Sequence, residues 1–289
     1  MFDPPKRPRP VHRAAALSAT LALIVLTGGC SGQDAPPAEK AGALAPSSGG
    51  QETLLLDFEE LTAGPVTRIA FSAGSGEADV ITAGGGALSA VQTDEGGVIL
   101  RFPTASDSAA GRRAVLNVRG ETGAGFAPAE RDFQFSVDVM YPPGSAGDTD
   151  DDDGDNLLQR GLFGDVGQFK LQVDHLRPAC RLAGDEGETL VKATQDLDEG
   201  TWYRVVCQRA DGVASLHLAE LAGAPSSTQA APQDWRSWTT PDRSGSITES
   251  ERPAPLSLGG KLNPQGQIVE DAPDQFNGEL DNVRIALLP

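Results

Sequence analysis

The amino-acid sequence predicts an all-β domain, an antiparallel sandwich carried behind an export signal and a linker. Three observations point there. The stretch Phe133-Gln134-Phe135-Ser136-Val137-Asp138-Val139 alternates strictly between apolar and polar side chains, and only a half-buried strand needs that period of two. Short β-rich runs recur along the chain between turn signals such as Asp211-Gly212. No segment sustains the 3.6-residue period of a packed helix.

In chain order, Met1 to Arg13 is basic through Lys6, Arg7, Arg9 and Arg13, against the single acid Asp3. Ala14 to Leu26 is uncharged and mostly apolar, and Thr27-Gly28-Gly29-Cys30 closes the segment with small residues before a cysteine. That order is the plan of a secretory signal, and the apolar run falls short of the about 20 residues that a spanning helix needs. The small-small-Cys ending resembles a bacterial lipobox, with Thr27 in place of the usual Leu. The resemblance implies cleavage after residue 29 and acylation of Cys30. No twin-arginine pair precedes the apolar run, which favours the general secretory route. Residues 30–52 are rich in Ala, Gly, Pro and Ser and are predicted to be a disordered tether, with an end-to-end distance on the order of 25 Å. Residues 53–289 are left for one β domain.

Within that domain, 54–58, 77–83, 98–102, 114–119, 133–139, 169–174, 179–182, 201–209, 213–221, 256–258 and 279–287 read as strands. On the last of these the alternation assigns Asp281, Val283, Ile285 and Leu287 to one face. Two stretches interrupt the pattern: an acidic loop at 147–156 and a Pro/Ser/Thr-rich insertion at 222–255 that carries Trp235 and Trp238.

The chain holds 23 Lys and Arg against 41 Asp and Glu, a formal net charge of −18, and removal of the basic leader deepens the deficit. Such a balance excludes nucleic acid as a partner held by general attraction. There are three cysteines in all. With Cys30 acylated, Cys180 and Cys207 remain, and an even pair in an exported protein is most simply a disulfide.

Several blocks together resemble one family. They are Asn156-Leu157-Leu158-Gln159-Arg160-Gly161, Phe169-Lys170-Leu171-Gln172-Val173, Arg177-Pro178-Ala179-Cys180-Arg181, the run from Asp198 through Trp202 to Arg209, and the closing Asp274-Gln275-Phe276-Asn277-Gly278-Glu279-Leu280-Asp281-Asn282-Val283-Arg284-Ile285. They resemble laminin G-like domains of the concanavalin A-like lectin/glucanase superfamily, in their bacterial exported form, over residues 54–287. Tyr203 stands where the family commonly has His, and the insertion swells the region after the hairpin. The resemblance implies a jelly roll of two curved antiparallel sheets, with Cys180 and Cys207 paired on neighbouring strands. It also implies one structural calcium ion where the first and last strands meet, for which Asp57, Glu59 and Asp281 are the candidate ligands.

Catalytic signatures are missing. Glucanases of this fold carry Glu-x-Asp-x-(x)-Glu on one strand. Glu77-Ala78-Asp79 and Glu279-Leu280-Asp281 come nearest, and both lack the third carboxylate. His175 and His217 stand alone in the sequence, and no nucleophile elbow, zinc helix or phosphate loop occurs. The run Asp148 to Asp155 fails as a calcium loop, because alignment on Gly154 puts Arg160 where the final Glu belongs. Trp202 is expected in the core, while Trp235 and Trp238, in a polar stretch, are candidates for stacking on a sugar or anchoring a partner. The expected function is therefore a non-catalytic surface module. It would be monomeric, tethered on the extracytoplasmic side of a membrane through Cys30, and bind a glycan or a cell-surface protein. The alternatives are a polysaccharide hydrolase or lyase with unrecognised carboxylates, and a purely architectural domain.

Overall fold

The computed structural model describes residues 38–40, 45–47, 49–120, 126–145, 154–226, 231–249 and 255–289. Cys30 and most of the acidic loop lie outside the described residues. The strands in chain order begin with β1 (Ala38–Lys40), β2 (Gln51–Leu56), β3 (Gly64–Val66), β4 (Arg68–Ala70), β5 (Gly76–Ala83), β6 (Leu88–Gln92) and β7 (Val98–Arg101). A short helix, α1 (Ala105–Ala109), precedes β8 (Arg113–Gly120), β9 (Phe133–Met140), β10 (Asp155–Arg160), β11 (Gln168–Asp174), β12 (Arg177–Gly184) and β13 (Gly187–Lys192). The chain ends with β14 (Tyr203–Ala210), β15 (Val213–Glu220), β16 (Arg236–Pro241), β17 (Leu256–Leu258) and β18 (Glu279–Leu287).

These strands form two antiparallel sheets. One is ten-stranded in the order β1-β16-β15-β14-β9-β18-β7-β6-β3, with β2 also paired to β18. The other is eight-stranded in the order β13-β12-β11-β10-β17-β8-β5-β4. The expected all-β sandwich is what the chain builds. The β14–β15 hairpin closes Ala210 onto Val213 through Asp211 and Gly212, whose φ angles of 51° and 72° are the left-handed pair that a tight two-residue turn requires.

The apolar face of β9 lies in the core as the alternation predicts, with Phe133, Phe135, Val137 and Val139 fully buried, while Ser136 and Asp138 of the other face are buried as well, so the strand is covered on both sides. Phe133 and Phe135 meet Phe169 of the opposite sheet at centroid distances of 5.6 and 4.9 Å. Offset and edge contacts of this kind add about 0.5–1.5 kcal/mol per pair beyond the area they bury. Arg209 caps this cluster, its guanidinium 5.0 Å from the Phe133 centroid and hydrogen-bonded to the carbonyls of Ala129, Arg131 and Gly245.

Cys180 and Cys207 are disulfide-bonded, with Cα atoms 5.7 Å apart. They do not lie on neighbouring strands. Cys180 is on β12 of the eight-stranded sheet and Cys207 on β14 of the ten-stranded sheet, so the bond crosses the core and joins the two layers. Both side chains point inward from the same faces as Phe169 and Phe135, which explains the placement.

Further features depart from the sequence reading, and β3, β4, β6, β10 and α1 lie where it places no element. Ala38–Lys40, inside the expected tether, pairs with β16, and β2 begins at Gln51. The insertion at 222–255 contributes a full strand, β16, rather than only loop. β13 was not anticipated: as an edge strand it leaves Glu188, Leu190 and Lys192 exposed, which dilutes its apolar signal. On β18 the register shifts between Asp281 and Arg284, and Asn282 adopts a φ of 47°. The extra residue puts Leu280, Val283 and Ile285 in the core and turns Asp281 to the outer face opposite Asp138, because a bulge reverses the side on which the following residues point.

Reducing the Cys180–Cys207 bond is expected to lower unfolding stability by about 3–4 kcal/mol, the chain-entropy value for a loop of this length. Urea denaturation of oxidised and reduced wild type measures it, and replacement of both cysteines by Ser should cost more, because each hydroxyl would be buried in the apolar core.

Candidate functional site

Trp238 is not available to a ligand. It is fully buried in the main core, and its indole N–H donates to Thr194 Oγ1 at 3.0 Å. Trp235 is half-buried, its indole N–H donates to the carbonyl of Pro232 at 3.1 Å, and its ring meets His217 edge-on at 6.3 Å. His217 in turn lies in a buried polar chain on the outer face of the ten-stranded sheet, with Nε2 2.8 Å from Ser215 Oγ and Nδ1 2.7 Å from Ser237 Oγ. Trp202 packs with Ile99 and Leu221 in a small cluster apart from the main core. The other histidine, His175, is exposed on a turn, 2.6 Å from Asp174.

A cavity of ≈ 350 Å³ opens where β14, β15 and β16 reach the rim, lined by Gln195, Glu220, Gln233, Asp234 and Arg236 over Tyr203 and Leu218. Strand register explains the convergence: Tyr203 pairs with Glu220, and Leu218 with Arg236. Arg236 Nη1 donates to Gln195 Oε1, which ties the loop after β13 to the start of β16. The Tyr203 hydroxyl is 3.2 Å from Asp198 Oδ2, and burial pushes its pKa up, so it stays a neutral donor. Amides, carboxylates and a guanidinium facing a shallow cavity can read hydroxyl groups by paired hydrogen bonds.

A second polar centre lies where β9 and β18 meet. Asp138 is fully buried and takes two bonds of 2.6 Å from Arg204 Nε and Nη2, and a third of 2.8 Å from Asn282 Nδ2. Asp281 is also fully buried, and its Oδ1 accepts from the Asn282 backbone N–H at 2.7 Å. Burial, with repulsion from Asp138, Glu59 and Asp57, pushes the Asp281 pKa up to about 9. A hydrolase reading calls for two carboxylates opposed across an open groove. Asp138 and Asp281 are opposed in register, but both have 0% exposure and Asp138 is committed to Arg204.

The calcium ligands expected at Asp57, Glu59 and Asp281 are near one another without forming a coordination sphere. Asp57 Oδ1 accepts from Ser72 Oγ at 2.5 Å, Asp281 turns to its own neighbour, and no group of three or more acidic, His or Cys side chains at metal-binding spacing occurs among the described residues. The donor set as arranged does not fit the ion, so no role is derived through it.

No protein-family profile and no curated protein matches the sequence. Among solved structures, the chain is similar to the CBM40 of the Ruminococcus gnavus IT-sialidase bound to α2,3-sialyllactose, at 13% identity, covering 56% of this chain and 80% of that one with a TM-score of 0.38. It is similar to the binding domain of botulinum neurotoxin serotype D, at 8% identity over 82% of this chain and 48% of that one, TM-score 0.42. It is also similar to the enzymatically active domain of tailspike protein 2 of bacteriophage CBA120, at 11% identity over 81% of this chain and 31% of that one, TM-score 0.46. Likeness at these identities concerns the β-sandwich fold alone.

The raised pKa of Asp281 makes a prediction about pH. Below its ordinary value of 3.8 the carboxyl is neutral in both folded and unfolded chains. From there up to about 9 the unfolded chain is ionised while the folded one keeps its proton, so stability falls as pH rises. Asp281→Asn removes this slope, and urea titrations at about pH 5 and about pH 8 should show the variant gaining at least about 1 kcal/mol on wild type at the higher pH.

Proposed function

We propose that the protein is exported, acylated at Cys30 and held on the extracytoplasmic side of a membrane. There it acts as a monomeric, non-catalytic binding module whose rim pocket takes a glycan. The pocket carries the reading: a ≈ 350 Å³ cavity lined by planar polar groups from Gln195, Glu220, Gln233, Asp234 and Arg236. Its size falls at the low end of the range for small-molecule sites. A sugar fits better than a flat protein surface, because the polar groups converge on a concavity, whereas a protein partner would need an apolar anchor in its place. Trp238 is turned into the core, and Trp235 is half-buried with its indole N–H given to the Pro232 carbonyl.

The export signal and the small-small-Cys ending support the tether, and the Ala/Gly/Pro/Ser-rich composition that follows suits a spacer.

Two measurements test this reading. On a glycan array the full chain should retain a defined set of sugars, and Asp234→Ala should weaken that binding about tenfold, the worth of one charged hydrogen bond, without lowering Tm. An array with no retained glycan, or an unchanged Asp234→Ala, refutes the pocket assignment. In fractionation, Cys30→Ser should move the protein from the detergent phase to the soluble exported fraction while leaving Tm unchanged.

A further inference from the structure

A second cleft lies away from the rim pocket and shares no residue with it. Its volume is ≈ 320 Å³, and it opens between the β5–β6 turn and the segment that links β7 to β8. Its walls are Gly85, Gly86, Ala87, Ser89, Arg101, Phe102 and Pro103, completed by Thr104, Asp107 and Arg112.

Its two cations are only partly used by the protein. Arg101 spends Nε and Nη2 on the same oxygen, Glu279 Oε1, at 2.8 and 2.7 Å. Arg112 gives Nη1 to Asp107 Oδ1 at 2.9 Å. Among the described residues, Arg101 Nη1 and Arg112 Nε and Nη2 have no protein acceptor, and the two side chains are 51% and 55% exposed. The one carboxylate in the wall is already occupied: Asp107 Oδ1 takes Arg112, while Oδ2 takes the Thr104 N–H and hydroxyl at 3.2 and 2.8 Å.

The cleft is also stiff. A Cβ at Gly84 would collide with the Gly111 carbonyl, and one at Gly86 with the Arg113 backbone, so the glycine turn lies directly against the chain that carries Arg112. Asn277 Nδ2 braces the opposite wall by donating to the Pro103 carbonyl and Ser108 Oγ at 2.8 and 2.6 Å. Ser89 stands beside Arg101 in register. Guanidinium donors held in a fixed frame suit carboxylates in particular, since fork and carboxylate match in plane and spacing.

The volume is more than a bare anion needs, and the remaining wall is mixed. Phe102 and Pro103 offer carbon surface; Ser89 and the glycine backbone offer hydrogen bonds. Such a wall matches a pyranose, which has an apolar face and a polar edge. We infer that this cleft binds a carboxylated sugar, a hexuronate-type residue, with Arg101 and Arg112 on the carboxylate and Ser89 on a ring hydroxyl.

The test uses the full chain with D-glucuronate, D-glucose, acetate and inorganic phosphate as probes, read by ligand-observed NMR titration. Glucuronate should bind at least about tenfold tighter than glucose, acetate or phosphate, and the affinity should fall as salt rises. Arg112→Gln should reduce glucuronate binding to the level of glucose. Ala87→Trp, which fills the mouth while leaving both guanidinia in place, should abolish it. Arg68→Gln, at an exposed arginine outside the cleft, should change nothing. Equal binding of glucuronate and glucose overturns the inference, and so does full affinity in folded Arg112→Gln. Equal binding of acetate, phosphate and glucuronate overturns the sugar assignment, and an equal loss in Arg68→Gln shows only general charge attraction.

Discussion

Two sheets without a helical layer must bury one another, and everything else in this domain depends on how that contact is made. The seam is aromatic at one end, where Phe133 and Phe135 from one sheet enclose Phe169 from the other. It is covalent nearby, where Cys180 and Cys207 cross between the layers. A covalent cross-link between layers does more than shorten the unfolded chain. It fixes β12 against β14, and β14 is the strand on which β9 and β15 are built. The rim pocket hangs from the same frame, since Tyr203, Glu220 and Arg236 take their places from the register of β14, β15 and β16.

Where the pleat alone decides, the sequence could be read directly. Strict alternation located β9 and β11, and Asp211-Gly212 located the β14–β15 hairpin, because a period of two and a pair of left-handed turn residues have few other uses. The failures share a cause: at those places something other than alternation set the outcome. Asn282 inserts a bulge, which no local count reveals, and Asp281 changes face as a result. Trp238 sits among Ser, Thr and Pro, yet its register opposite the core-facing Leu216 of β15 drives the indole into the core, where it meets Thr194 just after β13. The helix α1 is too short to show a period, although Thr104-Ala105-Ser106-Asp107 carries a usable signal: Thr104 and Asp107 cap one another's backbone N–H groups.

The candidate sites were less legible than the fold, for a topological reason. Gln195, Glu220 and Asp234 meet only because three strands end at one rim. Arg101 and Arg112 face one cleft only because the β5–β6 turn packs against the backbone around Arg113. Neither set has a fixed spacing along the chain, so neither can be found as a motif. The tryptophans draw attention in the sequence because they are rare and large, yet Trp238 packs in the main core and Trp235 lies edge-on to His217 with its indole N–H given to the Pro232 carbonyl.

Charge separates the two cavities in kind. With a net charge of −18 the chain repels anionic polymers at long range, and that repulsion is screened over about 8 Å in physiological salt. Within that distance local groups decide. At the rim, Glu220 and Asp234 face the single cation Arg236, so the field there favours neutral hydroxyl-bearing ligands. In the second cleft Asp107 and Glu279 are neutralised by the arginines themselves, and unused guanidinium donors remain. An anion can therefore be held only by close fit and never by general attraction, because the surrounding surface opposes its approach. Selectivity of this kind is negative as well as positive: the acidic surface rejects polyanions that lack a group able to reach Arg101 and Arg112.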